Sequence, residues 1–313
     1  MKPERRAVID VGTNSVKLLL ADVQGMDVQP VIEDSRQTRL GKNFYDTHRL
    51  QPDAIGQTAW AVADFAKIAR EKNAASLHVF ATSAARDAVN PNDLASAIEK
   101  ESGLKLEIIS GEQEAEWAFQ GATLGTDLAA TPLLLLDVGG GSSEFIVGHG
   151  GHKSFAQSFP IGTVRLMEKI PHSDPPTLAE FSKCRDWVAD FLQSKIRPKL
   201  EPVLEREKQS GALQLAGTGG TTTILARMEL KSNAFDRAQI EATRLSLKQI
   251  QTHLDNLWKQ PLAQRARIPG LPKSRADVIL TGVMIYALVM EAFHFGELRV
   301  STRGLRFAAI MNS

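Results

Sequence analysis

The chain has 313 residues, 43% hydrophobic and 23% charged, enough for one large domain or two ordinary ones around real cores. Its formal net charge of +1 excludes the global basic field of a nucleic-acid binder, so any anion site must be local. Cys184 has no second cysteine to pair with, which excludes an intrachain disulfide and favours a reducing compartment.

The opening residues lack the apolar core of a secretory signal. The longest apolar stretch, residues 278–289, is interrupted by Thr281 and Gly282 and is too short to span a bilayer. A cytoplasmic protein with no membrane partner and no specific nucleic-acid partner is expected. Residues 7–11 and 17–23 are apolar runs around a short polar turn, the signal of a hairpin, and residues 30–39 add a third strand. Ile55, Ala59, Val62, Ala66 and Ala69 recur at helical spacing within residues 53–73. A strand at 77–81 precedes "TSAARDAVNPND", a helix at 94–101 stops at Gly103, and a strand follows at 105–109. Ser110 and Gln113 have capping-box spacing and open the helix "GEQEAEWAFQGA".

After the looser stretch "TLGTDLAATP", the same order restarts. Residues 133–137 and 144–147 form a hairpin through glycines, and residues 153–159 make a third strand. A long helical pattern follows through Leu178, Phe181, Val188, Leu192 and Ile196. A strand at 213–216 runs into "GTGGTTT", which opens a helix; a last strand lies at 298–301 and a last helix in "RGLRFAAIM". Strand triplets followed by alternating helices and strands predict an α/β protein with mixed sheets. We divide it into domains at 1–124 and 125–313, with the last helix as a candidate to pack back on the first.

The two hairpin turns share one pattern. Asp10 begins D-V-G-T-N-S and Asp137 begins D-V-G-G-G-S, with apolar runs on each side. Tight glycine turns expose backbone amides in concave nests that suit phosphate. Gly12, Thr13, Asn14 and Ser15, and Gly139, Gly140, Gly141, Ser142 and Ser143, are therefore the candidate phosphate-binding residues. An aspartate at the strand end is placed to meet the divalent cation that accompanies phosphate. The pair implies two sheets facing each other with a phosphate chain between their hairpins.

"IDVGTNSVKLLL", "DVGGGSSEFIVG" and "AGTGGTTT" resemble the two phosphate motifs and the nucleotide-site motif of the actin, Hsp70 and sugar-kinase superfold. More narrowly, "ATSAARDAVN", "ISGEQEAEWAFQGA", "SFPIGTVRLME", "RADVIL" and "STRGLR", in this order, make the chain similar to the exopolyphosphatase/guanosine pentaphosphate phosphohydrolase family, in its short two-domain form. The resemblance implies two actin-like, RNase H-like domains flanked by helices, with the active site in the cleft between them. It also implies Mg2+-dependent, processive removal of terminal phosphate from inorganic polyphosphate, with Mn2+ as the alternative metal. Guanosine pentaphosphate, converted to the tetraphosphate, is the alternative substrate. A homodimer follows from the resemblance alone.

Phosphoryl transfer to water needs a positioned water, a group to orient it and screening of phosphate charge. Glu114 sits in the first turn of its helix, where the dipole favours a carboxylate. Glu112 and Glu116 compete on local grounds, and the family motif points to Glu114 as the residue that activates water. Glu144, after the second turn, is a second catalytic carboxylate near the metal or the water. Asp137 is the metal-linked carboxylate, with Asp10 and Glu144 as further candidates. Arg86 is a phosphate clamp, against the local reading of a salt bridge to Asp87. Arg39, Arg303 and Arg306 could extend a basic channel, and Lys17 faces either substrate or solvent. Residues 217–223 lack the G-K-[ST] of a P-loop; they hold a nucleotide, hold further phosphate or pack. An ATP-dependent kinase and an alarmone-binding regulator are the readings from other classes; the motifs around Glu114 and Arg86 speak against the first, and intact Glu114, Glu144 and Asp137 against the second.

Overall fold

The computed structural model describes residues 2–313. The chain forms two compact units: the residues up to Thr126 together with Arg303–Ser313, and Asp127–Thr302. The boundary lies between Thr126 and Asp127, and Arg303–Ser313 group with the first unit.

In the first unit, β1 (Glu4–Val11), β2 (Ser15–Gln24) and β3 (Asp27–Gln37) form an antiparallel meander. The third strand starts three residues earlier than its sequence suggests and ends before Arg39, which takes a left-handed backbone at φ 52°. Next come α1 (Pro52–Glu71), β4 (Ser76–Ala81), α2 (Ser83–Arg86), α3 (Pro91–Ser102), β5 (Leu106–Ile108) and α4 (Gly111–Thr123). Strand β4 lies parallel to β1, so the sheet order is β3-β2-β1-β4-β5. Gly103 ends α3 in the left-handed conformation, and the Ser110 side chain caps α4 by accepting from the Gln113 amide.

Successive side chains on a strand point to opposite faces. Ala7, Ile9 and Val11 meet Val62 and Phe65 of α1 and Leu94 and Ile98 of α3. Val8, Leu19 and Phe80 meet Trp117 of α4 on the other face. Asp10, two residues after Val8, therefore belongs to the α4 face.

In the second unit a short 3-10 turn, Asp127–Ala130, leads to β6 (Leu133–Val138), β7 (Ser143–His149) and β8 (His152–Phe159), again an antiparallel meander. Then follow α5 (Thr163–Lys169), α6 (Leu178–Phe191), α7 (Arg197–Lys208), β9 (Gln214–Thr218), α8 (Gly219–Glu229), α9 (Arg237–Ala242) and β10 (Arg244–Ser246). After these come α10 (Leu247–Trp258), α11 (Leu262–Arg265), α12 (Ile279–Phe293) and β11 (Glu297–Val300). Strand β9 is parallel to β6, and the sheet order is β10-β11-β9-β6-β7-β8. Both sheets thus share one plan: a hairpin and its third strand, then a strand added parallel to the first.

The long helical pattern from residue 178 is interrupted by a π-turn, Leu192–Ile196, just before α7. Pro198 removes a backbone donor from the ladder there, and a wider turn accommodates the loss. Helix α12 is apolar on all sides and is buried against Leu136, Phe145 and Leu225. Cys184 lies in the same core, and burial pushes its thiol up to about 12, which makes it an inert packing residue. Among the described residues no helix is long and apolar enough to cross a membrane.

The final helix, α13 (Leu305–Met311), packs Phe307 and Ile310 on the face of the first sheet that Trp117 also covers. Its approach to α4 needs a residue without a side chain. A Cβ on Gly121 would lie 2.0 Å from the Gly304 carbonyl oxygen. Gly121→Ala is therefore expected to cost about 1–3 kcal/mol of stability and to expose the last helix to proteolysis. Thermal unfolding and limited digestion read both; an unshifted midpoint and an uncut terminus would count against this packing.

Candidate active site

Each hairpin turn is closed in the same way. The Gly12 amide donates to Ser15 O at 3.0 Å, and the Gly139 amide donates to Ser142 O at 2.9 Å. These two glycine amides are thus spent on the turn itself, a correction to their expected role toward phosphate. The amides of Thr13 and Asn14, and of Gly140, Gly141 and Ser142, have no acceptor among the described residues. Adjacent unpaired amides of this kind make an anion-binding nest. Asn14 adds a buried side-chain nitrogen, Nδ2, that also lacks a partner, although its Oδ1 accepts from Gln37 Nε2 at 3.3 Å. A buried donor left unpaired is costly, and a bound phosphate oxygen would satisfy it.

Ser143 departs from expectation. Its hydroxyl donates to the Ile161 carbonyl at 2.6 Å and is fully buried, so it braces the turn instead of facing a ligand. Ser143 is the first residue of β7, where the pairing register fixes which way the side chain points.

Below each turn runs a cross-strand row. In the first sheet Asp10 is opposite Lys17, and Lys17 opposite Ser35. In the second, Asp137 is opposite Glu144, and Glu144 opposite Ser158. The rows are equivalent except at the middle position, where lysine replaces glutamate. Lys17 Nζ lies 3.6 Å from Asp10 Oδ2, so the Asp10 carboxylate, 2% exposed, already faces a cation. Glu144 is 1% exposed, and its Oε1 accepts from the Ser158 hydroxyl at 2.7 Å.

Glu114 and Arg86 come from different elements and meet. Arg86 Nη1 donates to Glu114 Oε2 at 2.9 Å and is also 3.2 Å from Ile109 O. The local reading of Arg86 as the partner of Asp87 gives way to this pair. Glu114 is 9% exposed, at the capped start of α4 and on the face that carries Asp10. Glu112 and Glu116 are both more exposed than Glu114.

The "GTGGTTT" stretch is the junction of β9 and α8. Gly219 takes φ +83°, and a Cβ there would lie 2.3 Å from Asp137 Oδ1. The turn is pressed against the Asp137 carboxylate. Beneath it, the Tyr286 hydroxyl donates to Leu136 O at 2.9 Å and lies 2.6 Å from Thr222 Oγ1. Burial raises the phenol well above its ordinary range, so it remains a neutral hydrogen-bonding strut. Among the described residues no group of three His, Cys, Asp or Glu forms a cage for a metal. Mg2+ asks for less: one or two carboxylates, with water and substrate oxygens completing the octahedron. Asp137 and Glu144, paired across β6 and β7, fit that demand.

The pattern of the Ppx/GppA phosphatase family matches residues 19–312. The chain belongs to that family. It is 36% identical to exopolyphosphatase 2 of Mycobacterium tuberculosis over 292 residues, which cover 90% of this chain and 88% of that one. Exopolyphosphatase 1 of Mycobacterium leprae is 29% identical over 98% of this chain and 88% of its own. The crystal structure of the Aquifex aeolicus Ppx/GppA family member superposes with a TM-score of 0.78 at 29% identity, covering 99% of this chain and 97% of that one. An exopolyphosphatase from Cytophaga hutchinsonii superposes with a TM-score of 0.85 at 25% identity, over 97% of this chain and 96% of that one. The actin-like fold expected from the sequence is thus that of solved Ppx/GppA structures.

Within this Ppx/GppA fold, several basic residues do other work than expected. Arg306 Nη1 donates to Leu18 O at 2.7 Å and Nη2 lies 3.5 Å from Glu33, while Arg303 Nη1 donates to Leu124 O at 3.3 Å. Both tie the last helix to the first unit. The structure adds a cation that sequence reasoning passed over. Arg275 makes no side-chain hydrogen bond or ion pair among the described residues, and a Cβ on Gly220 would lie 3.6 Å from its Nη2. Burial lowers its guanidinium from the ordinary value, and the nearby Asp277 charge opposes that. The motif "RADVIL" was the signal available for it.

Proposed function

We propose that the chain is an exopolyphosphatase that hydrolyses the terminal phosphoanhydride bond of inorganic polyphosphate, using Mg2+ or Mn2+. The observation that carries this reading is the pair of turns whose unpaired amides suit phosphate, combined with a buried carboxylate, Glu114, held by one arginine. In the first unit the amides of Thr13 and Asn14 and the Asn14 side chain take phosphate oxygens. Glu114 accepts hydrogen bonds only, so it orients a water and receives its proton as the water oxygen bonds to the terminal phosphorus. The bridging P–O bond breaks, and its electron pair leaves with the shortened chain. Arg86 holds the Glu114 carboxylate in one rotamer through its 2.9 Å hydrogen bond, and its remaining donors suit phosphate oxygens.

In the second unit the amides of Gly140, Gly141 and Ser142 take phosphate oxygens, and Arg275 supplies a further positive charge. Asp137 and Glu144 would hold the divalent cation, which screens charge on the phosphates. Asp10 is left to its lysine. The two mycobacterial relatives named exopolyphosphatases support polyphosphate as the substrate.

The test is phosphate release from matched panels of short polyphosphate, long polyphosphate, guanosine pentaphosphate and ATP, with Mg2+ or Mn2+ and with a chelator. Turnover of both polyphosphates that stops with the chelator is expected. Release from guanosine pentaphosphate alone would make the protein a pentaphosphate phosphohydrolase instead. Release of ADP only with an acceptor present, or tight alarmone binding without any release, would end the reading.

A further inference from the structure

The motif "SFPIGTVRLME" has no part in the chemistry above, yet it touches the second turn at every residue that matters. We infer that residues 158–165 are the positioning device of the second phosphate turn and of Glu144, with Ser158 and Arg165 as its working side chains. The inference rests on the roles proposed for Glu144 and the glycine turn.

The argument starts from the peptide plane. In a trans peptide the carbonyl of one residue and the amide of the next point in opposite directions. Anchoring a carbonyl to one side therefore aims the following amide to the other. The Gly139 carbonyl accepts from the Thr163 amide at 2.9 Å, which turns the Gly140 amide away. The Gly140 carbonyl accepts from the Val164 and Arg165 amides at 2.8 and 3.1 Å, which turns the Gly141 amide away. The Gly141 carbonyl accepts from Arg165 Nε at 2.6 Å, which turns the Ser142 amide away. The three amides so aimed are the three left without an acceptor. Glycines have no rotamer of their own to hold this shape, so the restraint has to come from outside the turn.

The first turn uses the device in part: anchoring the Thr13 carbonyl aims the unpaired Asn14 amide, while the Thr13 amide is not aimed this way. The Thr13 carbonyl accepts from the Gly41 amide at 2.7 Å and the Asn14 carbonyl from the Arg39 amide at 3.1 Å. Contact is close in both places: a Cβ on Gly41 would lie 2.3 Å from Thr13 Cγ2, and one on Gly162 would lie 2.6 Å from Gly140 O. Two unrelated segments doing one job to two equivalent turns argues against accident. The second device also uses a side chain, Arg165, and extends to a carboxylate through Ser158.

The two side chains act on different quantities. Ser158 fixes the rotamer of Glu144, proposed above to hold the divalent cation, so its loss should weaken the transition state. Arg165 fixes the turn that grips phosphate in ground and transition state alike, so its loss should weaken binding. With short-chain polyphosphate as substrate, Ser158→Ala is expected to lower kcat about tenfold with KM unchanged, and Ser158→Thr to restore it. Arg165→Gln is expected to raise KM about tenfold with little change in kcat, and Arg165→Lys, which keeps one donor, to fall between. Thermal unfolding of each variant shows that the fold survives, and the lysine variant stands in if the glutamine variant does not fold.

The inference falls if Ser158→Ala and Arg165→Lys lower the unfolding midpoint but leave kcat and KM within twofold of the parent. It falls also if Ser158→Thr fails to restore what Ser158→Ala loses. Glu144→Gln is the control that separates the two readings: a fully active Glu144→Gln overturns the role proposed for Glu144. An inactive Glu144→Gln beside unaffected Ser158 and Arg165 variants overturns the positioning device alone.

Discussion

Glu114→Gln is expected to lower kcat on polyphosphate about 100- to 10,000-fold, the range for removing a positioned acid–base group. The substitution keeps the size of the side chain and an acceptor for Arg86 Nη1, so the fold and polyphosphate affinity should hold. What is lost is the charge that orients water and the site that takes its proton. Equilibrium binding of polyphosphate to the variant, beside single-turnover phosphate release, separates the two quantities. Near-normal turnover would remove Glu114 as the base and turn attention to Glu144. Arg86→Ala should act through the same pair. It leaves the carboxylate of Glu114, 9% exposed, without its charged partner, a loss that commonly exceeds the worth of the pair itself.

Gly219→Ala is the second change with a large expected effect. Two independent costs meet there. An alanine at φ +83° is strained by about 1–2 kcal/mol, and its Cβ would lie 2.3 Å from Asp137 Oδ1, so the carboxylate must move. We expect a lowered unfolding midpoint together with a loss of activity that rising Mg2+ only partly restores. Gly103→Ala is the comparison: it shares a positive φ, +73°, but meets nothing within 4 Å. The strain should appear in both variants and the metal dependence only at residue 219. Equal Mg2+ titrations for the two would detach Asp137 from the metal.

Much of this site was legible as sequence because its parts are local. Glycines at 12 and 139–141, an aspartate two residues before the first glycine of each turn, and apolar runs alternating with period two are all short-range signals. They located both turns, the hairpins around them and Asp10 and Asp137 at the strand ends. Ser110 placed the start of α4, and with it Glu114 in the first turn. The restart of the strand order after residue 130 disclosed the duplication before any coordinates. Errors were of two kinds. Strand ends moved by a few residues, as with β3, because fraying ends carry weak patterns. Polar residues inside the turns were credited to the ligand when some serve the turn, as with Ser143 and the amides of Gly12 and Gly139.

What remained hidden depends on partners far apart in the chain. Arg86 and Glu114 are 28 residues apart, Ser158 and Glu144 14, and Arg165 and Gly141 24. No periodicity predicts such pairs, since a hydrogen bond is fixed by which strands become neighbours and in which register. Strand β10, three residues long, carries too little pattern to be seen at all. The packing of α13 on the first unit was a candidate from the sequence, and the fit of Gly121 to Gly304 and of Phe307 and Ile310 to Trp117 supplies its contacts. The sequence by itself determined where two glycine turns would form and which acids stood at their strand ends, because backbone propensity and alternation act over a few residues. Only the tertiary structure decided which amides stay free, which arginine holds Glu114, and that lysine answers Asp10 while glutamate stands beside Asp137. Those outcomes follow from burial, under which most polar groups find a partner and the few unpaired amides of the turns stand out.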